Sequence, residues 1–227
     1  MTLLTEPTVE RATLQELSTL EPLAAPLGRI PAFTTRAVRA AVAADKEHGA
    51  VMPPLHLSAT FAFEAFATPR TYDYTRSGNP TRSHLAGIIA DLEGGAGAVV
   101  TSSGMSAVAL VLQTLVKPGD VVIAAHDCYG GTQRLLRSLA ARGHFEVVFT
   151  DLSLGYGDWC NSTRAPRLVW VETPSNPLLR ITDIRAVCEG AHSAGSLVVV
   201  DNTFLSPALQ RPMSSARMSW CIRQRSI

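Results

Sequence analysis

The sequence predicts an α/β fold with a mainly parallel sheet and helices on both faces. Short β-branched apolar runs alternate with helix-length segments, glycines stand where those helices should stop, and the apolar runs lack the polar alternation of a half-exposed sheet. Alternation of this kind is the pattern of βαβ units, whose crossovers place successive strands parallel. With 227 residues and 46% hydrophobic content, the chain can bury a substantial core.

The first thirty residues are rich in Pro, Thr, Glu and Leu without sustained periodicity, so residues 1–34 are expected to form a loose extension outside the fold. Regular text starts at Asn79, a plausible N-cap followed by Pro80 at N1. Leu85, Ile88, Ile89 and Leu92 mark one helical face before Gly94. Strands are then expected at Ala98–Thr101, Val121–Ala124, Phe145–Phe149, Leu168–Val171 and Leu197–Val200. Helices are expected at Met105–Val116, Thr132–Arg142 and Asp183–Ala194, with Gly119, Gly143 and Gly195 beyond their ends.

Charge and cysteine usage narrow the partners. Twenty basic and 19 acidic residues are scattered to a net charge of +1, so no patch suggests nucleic acid or anionic lipid, and a small-molecule partner is expected. Glu6, Glu10, Glu16 and Glu21 occupy the start without a basic leader, and no apolar run reaches membrane-spanning length, so a cytoplasmic protein is expected. Cys128, Cys160, Cys188 and Cys221 form no C-x-x-C pair, which fits free thiols. The histidines lack metal-ligand spacing, and neither a G-x-S-x-G elbow nor a P-loop is present, so no metal site is expected.

In a parallel sheet, ligands bind beyond the carboxyl ends of the strands. Four expected strands run into polar, turn-rich text: Ser102–Met105, His126–Gly131, Glu172–Pro177 and Asp201–Thr203. These loops should converge on one crevice. Ser102–Met105 opens a helix and could offer backbone N–H groups to a phosphate, although a serine-capped turn would look the same. Asp201 ends an apolar strand, where an ionised carboxylate needs a partner; a protonated ring nitrogen is one candidate and a turn-forming role another. Tyr129 could lie against an aromatic ligand or simply pack at the loop base. Arg76 could fork onto a phosphate and Tyr74 could donate its hydroxyl, or both could be ordinary loop residues.

Six ordered motifs resemble one family: Tyr-x-Arg-x-Gly-Asn-Pro-Thr at 74–81, Leu-Glu-Gly-Gly at 92–95, Ser-Gly-Met-Ser-Ala at 103–107, Asp-Cys-Tyr-Gly-Gly at 127–131, Pro-Ser-Asn-Pro at 174–177 and Val-Asp-Asn-Thr-Phe at 200–204. They are similar, over roughly residues 35–212, to the transsulfuration enzymes, the cystathionine γ-synthase family of pyridoxal-phosphate-dependent proteins. The phrases at 49–58 and 202–210 look most like the synthases.

The resemblance implies the large domain of a type I pyridoxal-phosphate-dependent transferase over 81–212, with an arm at 35–80 that reaches a neighbouring subunit and the C-terminal domain absent. It implies that Gly104 and Met105 bind the cofactor phosphate through backbone N–H groups, that Tyr129 stacks on the ring and takes part in catalysis, and that Asp201 pairs with the pyridinium nitrogen. Asn176 would sit beside the substrate carboxylate or the ring hydroxyl, and Arg134 near the substrate entrance. Tyr74 and Arg76 would reach the phosphate of a neighbouring subunit's cofactor, so a homo-oligomer, a homotetramer in this family, is expected. The implied reaction is γ-replacement on amino-acid substrates, joining an O-acylhomoserine such as O-succinylhomoserine to cysteine in methionine biosynthesis. A related lyase, or a non-catalytic fragment, would carry the same motifs.

One family feature is missing. The resemblance implies a cofactor-anchoring lysine about 25 residues beyond the aspartate of Val-Asp-Asn-Thr. That count lands on Ser226, and the chain's two lysines, Lys46 and Lys117, match no family motif. Residues 213–227 show neither helix nor strand period. Read one frame over, with suitable synonymous codons, they can become Glu-Leu-Gly-Ala-Asp-Val-Val-Val-His-Ser-Ala-Thr-Lys-Tyr, so an out-of-frame tail is expected. Residues 154–165 break the rhythm where a helix is due, and a second, compensated shift is expected there.

Overall fold

The computed structural model describes residues 32–42, 44–154, 165–215 and 220–222. The expectations for residues 1–31, for most of 154–165 and for most of the last twelve residues lie outside the described residues. The chain divides at Ala32, and the unit from Phe33 onward holds the described architecture.

A short helix α1 (Phe33–Val38) precedes an irregular stretch that leads into α2 (Pro80–Glu93). Local chemistry sets both ends of α2. The Asn79 side chain accepts from the Thr81 amide at 2.9 Å, while its own amide group donates to the His56 carbonyl at 3.1 Å and to Thr75 Oγ1 at 2.7 Å. Gly94 closes the helix with φ 76, a left-handed conformation that a side chain would strain.

Five strands form one parallel sheet in the order β2-β1-β3-β4-β5: β1 (Val121–Ala125), β2 (Glu146–Thr150), β3 (Leu168–Glu172), β4 (Leu197–Asp201) and β5 (Trp220–Ile222). Every residue of β1 and β3 is buried, which is why these segments read as unbroken apolar runs. Helix α3 (Gly104–Leu115) precedes β1, α4 (Gly130–Ala141) joins β1 to β2, and α5 (Ile184–Ser193) joins β3 to β4. Two four-residue turns of helix, α6 (Ser206–Leu209) and α7 (Pro212–Ser215), follow β4.

Alternate strand residues feed two cores. Ile123, Val169, Val171, Val198 and Val200 pack with Val187, Cys188 and Ala191 of α5 on one face. On the other face Val122, Ala124, Leu168, Trp170 and Val199 pack with Val108, Val111 and Leu112 of α3 and Leu136 of α4. Helices therefore cover both faces, as the period of the sequence requires.

Two expectations are corrected. Ala98–Thr101 is not a strand: it leads into α3 with no regular structure and no strand pairing among the described residues, and Val99 is 71% exposed. β-branched residues favour an extended backbone, but a strand also needs a neighbour to take its N–H and C=O groups. Conversely, the tail contains one strand, since Trp220, Cys221 and Ile222 align with Val199, Val200 and Asp201 of β4. Ladder hydrogen bonds are made by backbone, so a segment lying beside an open sheet edge can pair whatever its side-chain pattern.

Candidate active site

The strand order reverses between β1 and β3: from β1 the chain adds β2 on one side and β3 on the other. Loops leaving the carboxyl ends of two such strands diverge and open a crevice. A cavity of about 310 Å³ lies there, lined by Ser103, Gly104, Met105, Tyr129, Glu172, Pro174, Asn176, Asp201, Thr203 and Phe204. The four segments expected to converge all supply lining residues, and Gly104, Met105, Tyr129, Asn176 and Asp201 are among them.

The amino end of α3 forms one wall. Ser103 is its N-cap, and its hydroxyl accepts from the Ser106 amide at 3.1 Å. The cap satisfies one of the helix's unpaired donors, so the serine-capped turn and an anion-facing helix start occur together here. Tyr129, 38% exposed, stands at the mouth immediately before α4. Gly131 leaves room for it, because a Cβ there would lie 2.5 Å from Tyr129 Cε1 and 3.0 Å from Met105 Sδ.

Two buried acids lie at the carboxyl ends of neighbouring strands. Glu172 and Asp201 are register partners on β3 and β4, about 4.8 Å apart in strand spacing. They are 5% and 3% exposed. Asp201 accepts from the Thr203 amide at 3.1 Å and from the Thr203 hydroxyl. Glu172 accepts from the Tyr129 amide through Oε2 at 2.8 Å and from the Asn176 amide through Oε1 at 3.0 Å. Burial pushes the Glu172 carboxyl up to about 7, the two amide donors oppose the shift, and the charges of Asp201 and Asp127 add to it.

Sequence reasoning treated Glu172 as the start of a loop and missed it. The signal was present, since Glu172 follows Leu-Val-Trp-Val as Asp201 follows Leu-Val-Val-Val, and the argument applied to Asp201 holds equally for an acid ending β3.

The raised Glu172 pKa predicts a stability profile. Folded Glu172 holds its proton up to about pH 7, whereas in the unfolded chain it would lose it near the ordinary value of 4.5. Its contribution is therefore fully present below the unfolded value and is lost as pH rises through the folded one, by about 3 kcal/mol at most. Urea unfolding at pH 5 and pH 8 should show wild type losing more stability across that interval than Glu172→Gln. Equal losses would show that Glu172 is not the titrating group.

Outside the cavity lining, Ser175 Oγ donates to Asp127 Oδ2 at 2.6 Å, and the Arg180 guanidinium lies 3.9 Å from the same oxygen and 3.0 Å from Asp151 Oδ2. These contacts tie the loop after β3 to the loop after β1. The Cys128 thiol is pushed up to about 12 by burial and by the carboxylates of Glu172, Asp127 and Asp201. At neutral pH it stays protonated, which disfavours thiolate chemistry.

The other expected site residues lie away from the cavity lining. Arg134 is exposed in the first half of α4, its guanidinium beside Gly130. Tyr74 is 40% exposed and bridges Thr60, with the Arg76 guanidinium 5.2 Å from its ring centre. Lys46 and Lys117 are also exposed outside the lining, and Lys117 follows the carboxyl end of α3, opposite the end that meets the cavity.

The sequence profile of the Cys/Met metabolism PLP-dependent enzymes matches residues 34–216. The chain belongs to that family. Cystathionine γ-synthase of Escherichia coli K12 is 51% identical over 180 residues, which cover 79% of this chain and 47% of the relative. Cystathionine γ-lyase of Dictyostelium discoideum is 43% identical over 181 residues, 79% of this chain and 46% of the relative. The crystal structure of cystathionine γ-synthase from Xanthomonas oryzae pv. oryzae in complex with aminoacrylate and cysteine superposes with a TM-score of 0.79 at 51% identity, covering 83% of this chain and 49% of that one. The chain thus spans about half the length of the curated relatives it matches.

The cavity suits the family's cofactor in its chemistry. Its described lining holds two carboxylates and neither lysine nor arginine, so it favours a ligand that brings a cation to the Asp201 side. The start of α3 faces the same space with donors suited to a phosphate, and Tyr129 offers a ring at the mouth.

Proposed function

We propose that this chain supplies the cofactor-binding half of an enzyme that performs γ-replacement on a sulfur-amino-acid precursor, joining an O-acylhomoserine, O-succinylhomoserine by preference, to cysteine. The observation that carries this reading is the convergence of Gly104, Met105, Tyr129, Asn176 and Asp201 on one cavity at the strand-order reversal. Sequence identity of 51% to a cystathionine γ-synthase supports the synthase reaction.

Pyridoxal phosphate, when bound, supplies an electron sink for charge developing on the substrate carbon. The residues of this chain have the remaining tasks. The Gly104 and Met105 amides, at a helix start, receive the phosphate. Tyr129 covers the ring and, at the mouth, is placed to exchange a proton with substrate. Asp201, buried and held by Thr203, keeps the ring nitrogen protonated. Asn176 orients the ring hydroxyl or the substrate carboxylate, and Arg134 would lie near the route of entering substrate. The lining has no cation for the phosphate among the described residues, so Tyr74 and Arg76 of a second copy would complete the site in a cytoplasmic homo-oligomer.

The chain as it stands should bind pyridoxal phosphate weakly, carry no covalent link to it within the cavity and turn over no substrate, since neither of its lysines is in the lining. Borohydride reduction with mapping of any labelled lysine by mass spectrometry tests this. Stoichiometric labelling of Lys46 or Lys117 together with cystathionine formation would overturn it. Shifting the reading frame after Met213 by one base should restore a lysine and, with it, cystathionine synthesis from O-succinylhomoserine and cysteine. Cystathionine cleavage without synthesis would assign the protein to the lyases.

A further inference from the structure

The only residue joining both loops of the crevice through one carboxylate, among the described hydrogen bonds at the cavity, is Glu172. Its two oxygens accept from two amides that leave different strands: Tyr129, four residues beyond β1, and Asn176, four residues beyond β3. An ionised carboxylate offers acceptors only, and bonds from N–H to a charged oxygen are the stronger kind. At 5% exposure water does not compete for those oxygens. We propose that Glu172 is a positioning residue, a clamp that sets the Tyr129 ring and the Asn176 side chain at a fixed separation across the mouth of the cavity.

Among the described residues, no other hydrogen bond at this end of the sheet reaches the Tyr129 and Asn176 amides. The Asp127–Ser175–Arg180 contacts tie the same two loops further out, through side chains, and leave the Tyr129 and Asn176 amides to Glu172. The charged and titratable groups around Glu172 are Asp201 on β4, and Asp127 and Cys128 in the loop after β1, with Arg180 lying against Asp127. Burial above all, and then the charges of Asp201 and Asp127, favour the protonated acid, which has one hydroxyl in place of an acceptor and so holds one amide less well. The clamp should therefore tighten as pH rises through neutrality, the opposite direction to its effect on global stability. A residue that only filled space would show no such opposition.

Glutamine separates these roles. It preserves the volume of Glu172 but presents an NH2 group to one of the two amides, so one bond is lost while packing is kept. The functional consequence rests on the reading that Tyr129 and Asn176 face a pyridoxal phosphate ligand, whereas the clamp itself does not.

The test uses the full chain and two readouts. In amide-resolved NMR between pH 5 and pH 9, the Tyr129 and Asn176 resonances of the wild type should move together with one midpoint near 7. In Glu172→Gln that shared movement should vanish. Independent midpoints, or no movement in the wild type, would overturn the proposal without any variant. In titrations with pyridoxal phosphate at pH 9, above the Glu172 midpoint, followed by absorbance, Glu172→Gln should bind about tenfold more weakly, the order of one lost charge-assisted hydrogen bond. Glu172→Asp, which keeps the carboxylate, should restore the shared pH response in part. Equal affinity in wild type and Glu172→Gln would show that the clamp positions nothing and would overturn the proposal. Correct amide behaviour with no cofactor uptake by either protein would support the clamp and refute the pyridoxal phosphate reading instead.

Discussion

Trp170→Ala should remove about 3–5 kcal/mol of stability, a large share of the roughly 5–15 kcal/mol that a domain possesses. Trp170 is fully buried in the middle of the sheet. Its register neighbours are small, Ala124 on β1 and Val199 on β4, and the indole fills the space they leave beneath α3 and α4. Leu112, Leu136, Val108 and Phe145 share that core, so an alanine would leave a void bounded by elements on every side. The urea midpoint should fall sharply with the slope unchanged. Trp170→Phe makes the informative comparison. The indole N–H has no hydrogen-bond partner among the described residues, so phenylalanine removes an unpaired buried donor along with one ring. Its cost should be no more than about 2 kcal/mol. Equal losses in the two variants would show that the core does not depend on the aromatic volume at this position.

Gly131→Ala should act on the site rather than on the fold. An added Cβ would lie 2.5 Å from Tyr129 Cε1, 3.1 Å from Cδ1 and 3.0 Å from Met105 Sδ, and a 2.5 Å separation between carbons is not sustainable. The ring at the mouth is the element free to give, since Tyr129 is 38% exposed while Gly131 belongs to the buried start of α4. Displacing it removes the aromatic face and should weaken pyridoxal phosphate binding roughly tenfold, the magnitude of one stacking contact. The melting temperature should move little. Gly130→Ala is the control, because the added methyl would meet only Arg134 Nη1 at 3.3 Å, the far end of a flexible side chain. Titration of both variants with the cofactor checks the pair, and identical affinities would remove the steric argument.

Most of the architecture was readable before any coordinates. The cap at Asn79, the stop at Gly94, four strands and the helices between them follow from short-range chemistry: side-chain oxygens for orphan amides, glycine for positive φ, and β-branched runs buried on both faces. Convergence of the strand-end loops followed as well, because a parallel sheet directs every carboxyl end the same way. Tertiary structure decided what depends on neighbours distant in sequence. Ala98–Thr101 has strand composition but found no partner, while Trp220–Ile222 lacks strand period and paired with β4. Arg134, Tyr74 and Arg76 lie off the cavity lining of this chain, which is where residues expected at the substrate entrance and at a neighbouring subunit's site would stand. For Glu172, identity and place in the chain were plain, but its grip on Tyr129 and Asn176 exists only because β1 and β3, more than forty residues apart, lie side by side. Helix caps and strand periods are local and so are written in the chain, whereas pairing, burial and the pKa of a buried acid are set by atoms that folding brings from elsewhere.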